Sequence, residues 1–101
     1  MENIPEITPS RNGYHKELIE KVYLSNPEAK MQRDRMVNFI NDNSFYLEKI
    51  QKSIAQWNAR QQVDEGNPSG ELEVIDGVNG KLTIKHYPSG DSVRFFFAPK
   101  E

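Results

Sequence analysis

The amino-acid sequence predicts an α+β fold: a short helix and a long amphipathic helix, followed by a three-stranded antiparallel β-meander packed on the long helix. Residues 27–63 repeat large apolar side chains at helical spacing, whereas residues 71–98 alternate apolar and polar side chains as strands do. A run rich in turn-forming residues, 64–70, separates the two patterns. We therefore expect one domain over residues 1–101, with an extended arm at 1–12, a helical part at 13–63 and the meander at 71–98.

The first two segments carry short-range signals. In residues 1–12, Pro5 and Pro9 occur in a polar context, which favours an extended or polyproline-like arm. From residue 13 to residue 24, the positions of Tyr14, Leu18 and Val22 place them on one face of a short amphipathic helix. The helix should fold back on the next one, because the connection between the two is very short.

The second helix has the clearest start in the sequence and a long apolar seam. Asn26 is a suitable N-cap and Pro27 suits the first helical position. The seam residues recur every three or four positions: Met36, Ile40, Asn43, Leu47, Ile50, Ile54 and Trp57. An unbroken helix of this length would span roughly 50 Å, about twice the diameter of a compact domain of this size. Such a helix would project from its own domain and pair with another chain.

We predict self-association, with a dimer as the expected assembly, through the narrow half of the seam. The residues assigned to this contact are Asn43, Leu47, Ile50, Ile54 and Trp57. A polar residue such as Asn43 within a seam fixes the register of paired helices. The alternative is that the polar run at 41–44 breaks the segment into two ordinary helices, because its side chains compete for backbone hydrogen bonds.

The carboxyl-terminal third predicts three strands joined by tight turns at 77–80 and 88–91. One face of this sheet should be buried on the long helix, and its residues are Leu72, Val74, Leu82, Ile84, Val93, Phe95 and Phe97. The other face combines bases with aromatic rings, and we assign a partner-binding surface to Lys81, Lys85, Tyr87, Arg94 and Phe96. Glu71 and Glu73 are expected on the same open face, where they can pair with the lysines.

Two kinds of partner suit this open face. Base-stacking rings next to cations are typical of sheets that bind single-stranded nucleic acid. However, the chain has 13 basic and 15 acidic side chains, a net charge of −2, so no overall field favours nucleic acid. Lys30, Arg33 and Arg35 could also begin a DNA-reading helix, but acids interleave with them. An exposed ring such as Phe96 is more typical of a surface that binds a protein.

The composition argues against catalysis and against a metal or cofactor site. The chain has no cysteine, which excludes disulfides and thiol nucleophiles, and its 2 histidines lack a second ligand at metal-binding spacing. His86 precedes Ser89, Asp91 and Ser92 in a turn without pocket-forming bulk, so we expect neither catalysis nor a metal or cofactor. The amino terminus lacks a signal-peptide pattern and no apolar run suits a membrane span. We expect a cytoplasmic protein, in its own cell or in a host cell, with no membrane partner.

The sequence therefore predicts a small non-enzymatic protein-interaction module of the adaptor, chaperone or inhibitor type, such as a viral inhibitor. It should self-associate through the long helix and bind another protein on the sheet. The alternative is a nucleic-acid-binding protein that uses the basic and aromatic face of the sheet.

Overall fold

The computed structural model describes residues 13–62, 71–87 and 92–100. It contains helices α1 (Gly13–Ser25), α2 (Pro27–Asn41) and α3 (Leu47–Arg60), followed by strands β1 (Glu71–Asp76), β2 (Gly80–Tyr87) and β3 (Ser92–Pro99). The strands form one antiparallel sheet in the order β1-β2-β3, which confirms the predicted α+β class and the meander. The predicted arm at 1–12, the breaker at 64–70 and the turn at 88–91 lie outside the described residues.

The connection between α1 and α2 has the predicted cap. The side chain of Asn26 accepts a hydrogen bond from the backbone N–H of Ala29 at 3.2 Å, and Pro27 occupies the first turn. This bond satisfies one of the backbone donors that the start of a helix leaves free. The short link lets α1 pack against α2, and both Ile19 and Val22 of α1 are buried in the core.

The predicted continuous helix is wrong, because α2 ends at Asn41 and α3 begins at Leu47. Asp42 has an extended backbone, and its carboxylate accepts a hydrogen bond from the N–H of Ser44 at 2.7 Å. Phe45 then adopts a left-handed conformation with φ of 59°. The polar run thus makes the local turn that its composition favours, as the alternative interpretation held.

The turn between β1 and β2 stabilises this break. The backbone N–H of Asn79 donates to the carbonyl of Ile40 at 2.8 Å, and the side-chain amide of Asn79 donates to the carbonyl of Asp42 at 2.5 Å. The first bond satisfies a carbonyl in the last turn of α2, and the second adds to the bond at 3.2 Å that the carbonyl of Asp42 accepts from the N–H of Phe45. The turn can approach this closely because Gly77 has no side chain: a Cβ there would lie 2.6 Å from Cγ1 of Ile40.

Helix α3 packs on the sheet, as the sequence predicts, and also lies along the outer edge of β3. The ring of Trp57 packs on Phe95 with centroids 5.8 Å apart, and its Nε1 donates to the carbonyl of Val93 at 2.8 Å. The carboxamide of Asn58 accepts from the N–H of Phe95 at 3.1 Å and donates to its carbonyl at 3.0 Å. Asn58 therefore pairs with β3 as a neighbouring strand would, which protects an exposed sheet edge.

A bulge in β1 changes which residues face the helices. Glu71 pairs with Lys85, but Glu73 pairs with Ile84, so the register shifts between the two glutamates. Leu72 and Glu73 are consequently both buried, each 1% exposed. The extra residue of a bulge reverses the alternation that follows it. The predictions that Glu73 lies on the open face and that Val74 is buried are therefore wrong: Val74 is half-buried on the open side.

Candidate functional site

The open face of the sheet is the surface that the sequence assigned to a partner. All three helices contact the sheet from the side that carries the buried core. Register places β2 residues 81, 83, 85 and 87 beside β3 residues 98, 96, 94 and 92 on the opposite side. This face therefore includes all five predicted partner residues: Lys81, Lys85, Tyr87, Arg94 and Phe96. None of them belongs to the buried core.

Phe96 forms the apolar centre of this face. Its side chain is 41% exposed, although Phe95 beside it is fully buried. The ammonium of Lys85 lies 5.3 Å from the centroid of the Phe96 ring, within the range of a cation–π contact. The contact orders one cation above the ring without neutralising its charge.

Arg94 is opposite Lys85 on the neighbouring strand, so two cations lie side by side. Like charges at directly opposed positions destabilise a sheet. The Nε atom of Arg94 is buried and has no hydrogen-bond partner among the described residues. An added anionic group would relieve the repulsion between these two cations.

Among the described residues, the acidic side chains of the open face lie at its β1 margin. Glu71 pairs with Lys85 in register and Asp76 pairs with Lys81. Asp76 also approaches the ammonium of Lys100 at 3.4 Å, and both side chains are well exposed. Strand register therefore places an acid opposite a lysine at each end of β1, and Glu71 opposite Lys85 is the one position of the predicted charge ladder that this register retains. Neither acid is opposite Arg94, which lies on β3.

Glu73, the other acid expected on this margin, instead joins a buried network. Its carboxylate accepts hydrogen bonds from Arg33 Nε at 2.9 and 3.1 Å and from Arg33 Nη2 at 2.8 Å. It also accepts a hydrogen bond from the hydroxyl of Tyr23 at 2.5 Å. The network joins α1 and α2 to β1, because one of its members lies on each. We assign it a structural role.

Burial, followed by the negative charge of Glu73, raises the pKa of Tyr23 well above its ordinary value of 10.0. The hydrogen bond to Glu73 likewise raises the pKa of Arg33, although burial opposes the shift. Both groups therefore keep their protons at neutral pH, Tyr23 as a neutral donor and Arg33 as a cation. Neither is poised to exchange a proton near pH 7, which is the property a general acid or base requires.

The predicted self-association residues do not form an exposed seam. Ile50 is 0% and Trp57 is 1% exposed, both within the core of the chain itself. Ile54 packs against the same core, and Leu47 is half-buried at the start of α3. Asn43 is exposed in the turn between the helices. Ile50 and Trp57 therefore have no free surface for a second copy, while Leu47 and Ile54 remain partly exposed.

Metal and membrane sites have no support in the described part of the chain. Residues 13–62, 71–87 and 92–100 contain no group of three His, Cys, Asp or Glu side chains able to hold a metal ion. Among the helices described, none is long and apolar enough to cross a membrane. His86 is buried at 7% exposure, and Ser89 and Asp91 lie outside the described residues.

The residues that sequence reasoning missed are those whose roles depend on the bulge and on helix packing. Arg33 and Glu73 are 40 residues apart, and the alternating pattern of β1 gave Glu73 the wrong face. Asn58 carried no signal either, since an amide on a helix is usually solvated. The positions of the cations on the open face could be predicted because no bulge interrupts the pairing of β2 with β3.

Comparison of the chain with protein-family models, with curated proteins and with solved structures finds no match in any of the three.

Proposed function

We propose that this protein is a non-enzymatic binding module that docks an acidic segment of another protein on the open face of its sheet. The observation that carries the proposal is Phe96, a 41% exposed ring bordered by the cations Lys81, Lys85 and Arg94. Aromatic and arginine side chains are the groups that dominate binding energy at protein interfaces. An acidic partner follows from charge complementarity.

The chemistry of Arg94 supports an acidic segment over a neutral one. Its guanidinium, a planar fork of N–H donors, is opposed by Lys85 on the neighbouring strand. A glutamate or aspartate carboxylate can accept two parallel hydrogen bonds from this fork. An apolar residue next to that carboxylate would contact Phe96.

Single-stranded nucleic acid is the second candidate, because Lys85 lies over Phe96 and Tyr87 lies on the same strand face. Bases would stack on these rings while phosphates meet the cations. The acidic β1 margin, with Glu71 and Asp76, disfavours a long phosphate backbone. We therefore place this function second.

Selection from a library of random twelve-residue peptides tests the proposal. We expect the selected peptides to be enriched in Asp or Glu beside an apolar residue. Phe96→Ser and Arg94→Gln should each weaken their binding by about tenfold or more, the loss typical of a contact worth over 1 kcal/mol. Val78→Ser, which removes another exposed apolar side chain, is the matched control and should bind normally.

Peptides without acidic enrichment, or equal binding by Phe96→Ser, would refute the sheet-face proposal. Labelled oligonucleotides titrated at two salt concentrations address the second candidate. Tight binding that falls steeply with salt would favour nucleic acid over protein.

Self-association stays a proposal, and it no longer has the seam as support. A dimer would have to use side chains exposed on the folded chain, such as Leu24 at 84% and Met31 at 54% exposure. Light scattering across a hundredfold concentration range would measure the molar mass. A mass of one chain at every concentration would remove self-association from the proposal.

A further inference from the structure

A cationic groove lies between α2 and α3, away from the sheet. It has a volume of about 370 Å³ and is lined by Arg35, Phe39, Lys49, Lys52, Ser53 and Gln56. Residues 49, 52, 53 and 56 lie on one face of α3, while residues 35 and 39 are one turn apart on α2. The groove exists because the break at residues 42–46 lets the two helices lie beside each other.

Three of the six lining residues are cations and none is an acid. Asp34, the acid next to Arg35 in sequence, is already bonded to Lys30 at 3.2 Å and to Arg33 at 2.8 Å. It therefore does not neutralise the groove. Lys49 and Lys52 are three residues apart on the same helix, where like charges repel each other. The groove thus carries positive charge that its own lining does not balance.

Aromatic side chains position one of these cations. The ammonium of Lys49 lies 4.9 Å from the centroid of the Tyr46 ring, and Tyr46 meets Phe39 edge to face with centroids 6.0 Å apart. The hydroxyl of Ser53 donates to Oε1 of Gln32 at 3.3 Å. The ligand-binding donors of the groove are therefore its cations and the amide of Gln56.

We infer that this groove binds a diphosphate group, either as free pyrophosphate or within a nucleoside diphosphate. A single carboxylate satisfies one guanidinium fork, whereas three cations on two helices suit an anion with several charges and many acceptor oxygens. The volume lies at the lower end of the range for small-molecule sites, which fits a compact ligand. Phe39 is the ring available to a nucleobase.

The test records amide chemical shifts of uniformly labelled protein during titration with pyrophosphate at low salt. We expect saturable shifts centred on residues 35, 49, 52 and 56. The variant Lys49→Gln/Lys52→Gln should lower the affinity about tenfold or more, because it removes two of the three cations that line the groove. Lys21→Gln/Lys100→Gln removes the same charge from two exposed positions outside the groove and should change the affinity less than about twofold.

Adenosine diphosphate distinguishes the two sources of the group. Tighter binding than pyrophosphate, lost in Phe39→Leu, assigns a nucleotide, while equal affinities assign the diphosphate alone. Shifts outside the groove, equal losses in both charge variants, or no saturation at millimolar pyrophosphate would overturn the inference. The sheet-face proposal is tested by separate variants, so either conclusion can fail without the other.

Discussion

Replacing Arg33 by Met should destabilise the fold by about 3 kcal/mol, because it leaves the carboxylate of Glu73 buried without its cation. The Glu73 side chain is only 2% exposed, and it loses three hydrogen bonds of 2.8–3.1 Å. Within the described part of the chain, the hydroxyl of Tyr23 is then the one side-chain donor left to this carboxylate. Breaking a buried pair costs about 3–5 kcal/mol in general, and the 26% exposure of the Arg33 side chain places this case at the lower end.

The assay is urea unfolding at pH 7, followed by the fluorescence of Trp57, the one tryptophan of the chain. A domain of this size has a total stability of about 5–15 kcal/mol, so the shift of the midpoint should be large. Arg35→Met is the matched control: this arginine is exposed two positions along the same helix and should change stability by less than about 0.5 kcal/mol.

The double variant Arg33→Met/Glu73→Leu separates a lost attraction from a stranded charge. Because apolar side chains of similar volume can replace a buried ion pair at little cost, the double variant should recover most of the stability. The reasoning is refuted if Arg33→Met loses less than about 1 kcal/mol, or if the two single losses simply add in the double variant.

Three further predictions concern the same scaffold. Folding raises the pKa of Tyr23 above 10.0, so the unfolded chain loses this proton first. The stability that the raised pKa gives the folded state is complete below pH 10 and falls by about 1.4 kcal/mol per pH unit above it. Tyr23→Phe should therefore flatten the stability profile between about pH 9 and 11, and parallel profiles would contradict this. Asn58→Ala should cost about 2 kcal/mol by leaving the N–H and C=O of Phe95 without partners; denaturant unfolding with no loss would show that water replaces the amide. Gly77→Ala should cost about 2 kcal/mol, because its Cβ would meet Ile40, and faster hydrogen exchange at residues 38–41 would locate the damage.

Local signals in the sequence were sufficient for most of the element boundaries. Asn26 and Pro27 mark the start of α2 because a cap and a first-turn proline act through atoms only a few residues away. The inward and outward faces of β2 and β3 follow directly from position because no bulge shifts the register between these two strands. The open face with Lys85, Arg94 and Phe96 was predictable for the same reason.

The continuous helix failed as a prediction because the phase of the apolar seam survives the break. Met36 and Ile40 on α2 and Ile50 and Trp57 on α3 all face one core, so the spacing alone does not reveal that the axis changes. Asn79 stabilises the polar turn, because it lies 37 residues from Asp42 in the chain and donates a hydrogen bond to the carbonyl of Asp42. The periodicity of apolar residues in the sequence does not reveal a contact between residues this far apart in the chain.

The sequence by itself determined the α+β class, the helix start at Pro27 and the charges on the open face of the sheet, since these depend on residues adjacent in the chain or on unbroken alternation. The tertiary structure decided the rest: the end of α2, the burial of Glu73 and the groove between α2 and α3. Each of these depends on free energy gained between distant segments. A bulge or a helix end is stable only where another segment packs against it and supplies hydrogen-bond partners for its polar groups.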